Sequence, residues 1–507
     1  MTGPLRAAVM LGGSSFVAIL MTLATAKGLA LVVGPHGVGV FALLQSAVDL
    51  AVLLASLGVS VSLVRLLADA LERDDAQQTA AVRAASGLLA WSLGGVGAIV
   101  LLAGREAISE AIFGSTAQAG AVAVAAIAIP FTLAATANIA TLSAYREVGA
   151  IATLRTFAVV VMAAATLLAV FRLGEAGVSI GLLASSVALW LGASAFLRWR
   201  TSTNDWPGWS RIRSAASDLV RFGIPFASSA VVGTGIQLAI PILVALMLST
   251  DAAGYYRAAT QISAGYLAFI AAAMLQDYYP RLSSQQRSPD TLVRLIDQQL
   301  KLVMFLTLPL ILMGIAFSDL IVPILYSSAF EPAVAILGWQ LVGTLLRLPS
   351  WTLSFAILAR GRTGVYFAVE LVGGIVLMVG SLLGMELLGI AGLGLAVLAT
   401  YVVYYPIVWL AVRRDLPLRI TLAQKALIVT TVAAFMIQSL PAVGLASLRQ
   451  PLALALALVW LGVAGIGGRD VLRVRNRPAE GASHGSGGPI DDGAADTPDV
   501  SEPSHAQ

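Results

Sequence analysis

Apolar positions along this chain run in long blocks instead of alternating, and polar residues collect in the short gaps between them. The blocks fall at about 8–33, 38–63, 81–103, 117–140, 150–171, 176–197 and 220–248, and then at 252–276, 297–317, 333–358, 363–385, 388–411, 424–440 and 449–467. Each is close to the roughly 20 residues that carry a helix across a bilayer core. A helix satisfies its own backbone groups in lipid. The pattern therefore predicts an all-α integral membrane protein with about fourteen transmembrane helices. No loop between blocks is long enough to fold as a separate domain.

Composition agrees. Hydrophobic residues make up 58% of the 507 and charged residues 11%, against about 25% charged in a soluble domain. There is no cysteine and there are three His, so a disulfide framework is excluded and a thiolate or His-rich metal site is not expected. No cofactor is expected. The first block lacks a cleavage site leading into a soluble domain and reads as a spanning helix, not a signal peptide.

Most of the 31 Lys and Arg sort to one side, from Arg6 and the Arg65–Arg83 loop through Arg198–Arg221 to Arg469–Arg477. The opposite side has only Arg105, Arg172 and Arg449. The excess marks the cytoplasmic face, which places both termini inside. Lys27, Arg257 and Arg347 remain, and all three fall within predicted helices. From Arg469 the chain turns rich in Gly, Pro, Ser and acidic residues, the composition of a disordered tail.

Two stretches match at long range. GVGVFALLQSAVDLAVLLASLGVSVSLVRL (37–66) and AAGYYRAATQISAGYLAFIAAAMLQDYYPRL (252–282) share a Gly–apolar–aromatic step, a Gln on the helix and a terminal Arg–Leu. A shift of about 215 residues spans an even number of helices, so both copies enter from the same side. This predicts two six-helix bundles related by a pseudo-two-fold axis along the membrane normal, with the substrate path between them. The expected layout is an N-terminal bundle at 1–200, a cytoplasmic linker at 201–219 and a C-terminal bundle at 220–415. An additional helix pair at 416–468 and the tail at 469–507 complete it.

Charged side chains inside a membrane face protein or water. Arg257, Gln261, Gly265, Ala268, Ala272 and Gln276 form one helical stripe, as do Gln340, Thr344, Arg347, Trp351 and Ser354. Gln45, Asp49, Ser56 and Ser60 line up likewise, and Thr363, Tyr366, Glu370 and Ser381 offer a fourth polar face. Such stripes predict a shared aqueous cavity. Its candidate substrate-binding residues are Arg257, Arg347, Gln261, Gln340, Thr344, Gln45 and Lys27. Asp49 and Glu370 are the candidates for ion coupling, and Glu370 could pair with Arg347. Lys27 has no polar neighbours on its own face. Snorkelling accounts equally well for Arg257 taken alone.

The segments DAAGYYRAATQISAGYLAFIAAAMLQDYYPRLS, GWQLVGTLLRLPSW, GVYFAVELV and ATYVVYYPIVW resemble the C-terminal half of Wzx-type oligosaccharide flippases, above all the O-antigen and enterobacterial common antigen branch. KGLALVVGPHGVGVFALLQ and LGVSVSLVR carry a looser resemblance in the first half. The resemblance implies a bacterial inner-membrane protein of the superfamily that includes the multidrug (MATE) exporters and the lipid II flippase. It implies an undecaprenyl-diphosphate-linked oligosaccharide as substrate, moved from the cytoplasmic to the periplasmic leaflet. A polysaccharide polymerase and a chain-length regulator are implied as partners, and a working monomer. Many members have twelve helices; the extra C-terminal pair departs from that.

The alternative is a MATE-like exporter of soluble cations, which needs a predominantly acidic cavity. A membrane glycan ligase or polymerase would carry a sizeable external loop, which this chain lacks, so the chain is not expected to be an enzyme.

Overall fold

A computed structural model describes residues 3–200, 207–274, 278–285 and 288–475. Among these residues the structure is helical throughout, without a strand.

The first half contains α1 (Gly3–Val32), α2 (Gly34–Ala55), α3 (Val59–Glu72), α4 (Ala76–Ala103), α5 (Arg105–Phe113), α6 (Ala119–Ala144), α7 (Val148–Leu173) and α8 (Val178–Arg200). The second contains α9 (Trp209–Met247), α10 (Thr250–Ala273), α11 (Tyr279–Ser284), α12 (Pro289–Ala316), α13 (Ser318–Leu325), α14 (Pro332–Ala359), α15 (Thr363–Leu388) and α16 (Ile390–Arg413). The chain then forms α17 (Leu422–Ser439) and α18 (Ala446–Arg475).

The predicted blocks are helical wherever the described residues cover them. Among those residues nine segments are long and apolar enough to span, or ten if the bent α9 is one span. One of the nine, Val148–Arg200, takes in both α7 and α8 around the turn Gly174–Gly177. The helix α10 is more polar than these, carrying Asp251, Arg257 and Gln261.

Three boundaries move. The predicted span 38–63 is broken, because Leu57 and Gly58 adopt φ of 44° and 69°. Glycine is required at 58: a Cβ there would stand 2.1 Å from the Gly223 carbonyl oxygen. The linker expected at 201–219 is helical from Trp209 onward, as the first turns of α9. That part packs on the N-terminal bundle, where Ile212, Ala215 and Leu219 share a core with Val59, Leu63, Leu67 and Val82. Ser62 Oγ also donates to the Leu219 carbonyl at 2.7 Å. The two parts of α9, Trp209–Ser228 and Gly233–Met247, meet at 60°. Lastly, α18 continues to Arg475, past Arg469; the rest of the expected tail, 476–507, and Gln276 of the α10 stripe lie outside the described residues.

The two halves repeat each other. In the first, α6 packs on α4 and α8, α8 on α7, and α7 on α1; in the second, α14 packs on α12 and α16, α16 on α15, and α15 on α9. The register is the 215 residues that separate His36 from its partner Asp251. At that spacing Arg146 and Gly361 both turn with positive φ, 59° and 72°, and so do Gly174 and Gly389, 61° and 59°. Gly177 packs on the Ala169 backbone as Gly392 packs on Gly384.

The seam between the halves obeys the same symmetry. A Cβ on Gly39 would lie 2.0 Å from the Thr250 carbonyl oxygen, and one on Gly254 would lie 2.2 Å from that of Pro35. Each half presents a glycine to the backbone that begins the other half's helix. Small residues allow this closeness between membrane helices. The additional pair α17–α18 packs on α12 and α14. Arg449 of α18 pairs there with Asp319 of α13, and Trp460 Nε1 donates to Thr430 Oγ1 at 2.8 Å.

Candidate functional site

Gln45 lies about 16 Å along α2 from its N-terminal end, at 1.5 Å per residue, and Asp49 is one turn further along. Both face into the N-terminal bundle, onto a hollow of about 320 Å³. Its polar lining consists of Gln45, Asp49, Thr132, Thr136, Arg155, Ser185 and Ser186. Thr132 Oγ1 and Ser186 Oγ lie 2.8 Å apart, joining α6 to α8 across it. The hydroxyls also bond backwards along their own helices. Thr132 donates to Ala128 O at 2.8 Å, Thr136 to Thr132 O at 2.8 Å, Ser185 to Leu182 O at 3.0 Å and Ser186 to Leu182 O at 2.9 Å.

Arg257 approaches from the other half. Its Nη2 donates to Gln45 Oε1 at 2.8 Å, and Asp49 lies within electrostatic reach. Its buried Nε has no hydrogen-bond partner among the described residues. Arg257 therefore ties the C-terminal bundle to the rim of the N-terminal hollow and keeps one donor free. Gln261, a turn further along α10, accepts from the Tyr326 hydroxyl at 3.2 Å.

The polar stripe of α14 has a different setting. Gln340 is 2% exposed and Thr344 1%. Gln340 Nε2 donates to Thr260 Oγ1 at 3.1 Å, and Ser263 Oγ donates to Gln340 Oε1 at 2.8 Å. Thr344 Oγ1 donates to the Gln340 carbonyl at 2.8 Å. Gln340 therefore clamps α10 to α14, while Thr344 bonds back along its own helix, and both are buried. Polar spacing alone cannot tell a clamp from a lining.

Arg347 does not pair with Glu370 in an ion pair. Its guanidinium carbon sits 4.8 Å from the Trp351 ring centroid and 5.6 Å from that of Tyr401. α16 packs between α14 and α15, so Tyr401 and Tyr404 occupy the space that direct pairing would need. Glu370 Oε1 instead accepts from the Tyr404 hydroxyl at 2.5 Å, and Tyr404 accepts in turn from Ser354 at 2.9 Å. The cavity shared by Arg257 and Arg347 is thus replaced by two separate settings: a hollow beside Arg257 and an aromatic cluster around Arg347.

Lys27 reaches across to the other half. Its Nζ donates at 3.3 Å to Pro323 O, in the last turn of α13, where a cation complements the free carbonyls of a helix C-terminus. At the start of α2, His36 Nδ1 lies 3.0 Å from Asp251 Oδ1, and His36 Nε2 lies 3.9 Å from Glu175 Oε2. Lys27, His36 and Arg257 each cross from one half to the other.

Sequence reasoning missed Arg155. Its place near predicted loop positives put it with the cytoplasmic charges, yet it lies two turns inside α7 and lines the hollow. The repeat could have singled it out, because Glu370 occupies the equivalent position 215 residues later.

These features define a multi-pass membrane protein built from two repeated helical bundles joined along a narrow seam, with a polar hollow inside one of them. Residues 29–335 match the family described as polysaccharide biosynthesis protein, and the chain belongs to that family. It is 24% identical over 407 residues to the lipid III flippase of Escherichia coli (strain K12), covering 79% of this chain and 96% of that protein. The lipid III flippase of Shigella flexneri matches to the same extent. Among solved structures, the lipid II flippase MurJ in an inward closed conformation superposes with a TM-score of 0.69 at 14% identity, covering 92% of this chain and all of that one. An inward-facing multidrug resistance MATE family transporter of the MOP superfamily superposes with a TM-score of 0.62 at 15% identity, covering 80% and 97%. Both share this fold.

Proposed function

We propose that this protein is a flippase that moves an undecaprenyl-diphosphate-linked oligosaccharide from the cytoplasmic to the periplasmic leaflet by alternating access, for O-antigen or a related surface polysaccharide. It works in a bacterial inner membrane with both termini in the cytoplasm. The observation that carries this reading is the Arg257 tie. A guanidinium with a free Nε, in a bilayer-spanning seam beside a polar hollow, offers a diphosphate its counter-charge.

The lipid tail can stay in hydrocarbon throughout, so the barrier is the headgroup. Charge-assisted hydrogen bonds are about twice as strong as neutral ones, and Arg257 and Arg155 supply them. The cross-seam contacts of Lys27, His36, Gly39 and Gly254 hold the outer ends together, so the headgroup enters from the cytoplasm and leaves when those contacts part. For two negative charges, an inside-negative potential of 100 mV favours outward transfer by roughly 4.6 kcal/mol. Membrane voltage then supplies much of the driving force, and the protein lowers the barrier. Asp49 is the group through which a coupled cation would act.

A MATE-like exporter of soluble cations is the second reading, favoured by Asp49 in the hollow. Deleting the gene and assaying lipid-linked glycans on each leaflet separates the two. Accumulation on the cytoplasmic leaflet supports the flippase. Unchanged glycans with raised sensitivity to cationic toxins support the exporter.

A further inference from the structure

The hollow in the N-terminal bundle has chemistry that a diphosphate does not need. Each of its four hydroxyls, those of Thr132, Thr136, Ser185 and Ser186, has its proton directed to a helix carbonyl or to the Thr132–Ser186 bond. What these hydroxyls turn to the space is then lone pairs, set in a wall whose larger part is apolar, with Val48, Val159, Met162 and Leu189. Asp49 adds a carboxylate, which only accepts when ionised. Arg155 is the cationic donor on the lining. A surface of this kind suits a ligand rich in O–H and N–H donors and disfavours an anion away from the arginine.

The second half shows that this space is not a by-product of the fold. At the 215-residue spacing, Thr132 corresponds to Arg347, Thr136 to Trp351 and Ser186 to Tyr401. There Arg347 packs over both the Trp351 and the Tyr401 rings. The first half carries small hydroxyl residues at the same three positions, and a hollow of about 320 Å³ stands among them. Close packing is the default of protein interiors; at these three positions the second repeat fills the space with large side chains, and the first leaves a hollow with acceptors in its wall.

We infer that the hollow is a subsite for the sugar hydroxyls next to the diphosphate, bound between α2, α6, α7 and α8 through Thr132, Thr136, Ser185, Ser186 and Asp49. This rests on the flippase reading and adds where the glycan sits. The sugar lies in the N-terminal bundle, with Arg155 and Arg257 beside it for the diphosphate. The glycan is then recognised by one half, and the tie from the other half reports its charge.

The test uses the full-length protein in nanodiscs and two probes, undecaprenyl diphosphate and the same lipid carrying one hexosamine, with binding read by native mass spectrometry. The wild type should bind the sugar-bearing lipid about tenfold more tightly, as a few hydrogen bonds would give. Thr136→Val should cut that preference about threefold to tenfold and leave the bare lipid unchanged. Thr136→Trp with Ser186→Tyr, which installs the side chains of the second repeat, should erase the preference. Arg155→Ala should weaken both lipids alike. A preference that survives both hollow variants, or equal wild-type binding of the two lipids, overturns the subsite while the flippase reading stands. Failure of the wild type to bind either lipid overturns both.

Discussion

The two bundles share one backbone plan and differ in what they do with its interior. Positions that shape the backbone agree: the positive-φ turns at Arg146 and Gly361, the turns at Gly174 and Gly389, and the seam glycines Gly39 and Gly254. Positions that face the interior have diverged. Thr132 opposes Arg347 in the repeat, Ser186 opposes Tyr401, and Arg155 opposes Glu370. In the second bundle every polar group of the Gln340 clamp and the Ser354–Tyr404–Glu370 chain has a partner. In the first, polar groups border space. A satisfied buried network rigidifies, whereas acceptors around a hollow are available to a ligand. In the proposed function the second bundle is then scaffold and carrier of the Arg257 tie, and the first is receptor.

The largest effect is expected at the seam. Gly39→Leu and Gly254→Leu each push a side chain into the facing backbone. Overpacking of this kind costs about 1–3 kcal/mol, here charged to the outer-closed state. Both variants should lose transport about tenfold or more, and spin labels at Thr116 and Ala329 should show the outer ends apart. If one glycine tolerates leucine and the other does not, the pseudo-symmetry of the seam is broken.

Arg257→Ala removes a charged hydrogen bond of about 1.5–3 kcal/mol. Transport in proteoliposomes should fall by about tenfold or more, beyond what the accompanying drop in melting temperature accounts for, and Arg257→Lys should retain part of the activity. Arg347→Ala should act on stability alone, lowering the melting temperature through loss of stacking worth about 0.5–2 kcal/mol with transport by the folded fraction retained. Equal behaviour of the two would erase the distinction between tie and scaffold.

Gln340→Leu leaves Thr260 and Ser263 without their partner, a loss of about 1–3 kcal/mol. Thermal unfolding in detergent should register it, with lipid binding retained in the folded fraction. The smallest effect is at Asp251→Asn. Half-exposed pairs such as His36–Asp251 are weak, so label distances across the outer seam should shift toward the open population by about twofold, less at high salt.

Much of this was legible in the chain. Apolar block length gave the helices, because the bilayer sets that length, and the 37–66 and 252–282 match gave the register from which the repeat follows. The break at Leu57–Gly58 was not legible, since Gly58 reads as an ordinary membrane glycine until Gly223 is placed against it. Nor was the fate of the stripes. Gln340 and Gln45 have the same residue type and lie on similar helical faces, yet one fills a clamp and the other rims a hollow. Arg155 lies inside the predicted block 150–171 and still sorts with the cytoplasmic charges, because a charge within two turns of a helix start reads as an end charge until the hollow beside it is seen.

By itself the sequence determined that the chain lies in a membrane as helices, which segments repeat, and which charges must be sheltered from lipid. These follow from local composition and from the cost of bare charge in hydrocarbon. Only the tertiary structure decided which polar residues meet each other and which meet empty space. A side chain's surroundings come from helices far away in the chain, and α16 packed against both α14 and α15 is enough to replace an expected ion pair by a bridge of tyrosines, Tyr401 and Tyr404, between Arg347 and Glu370.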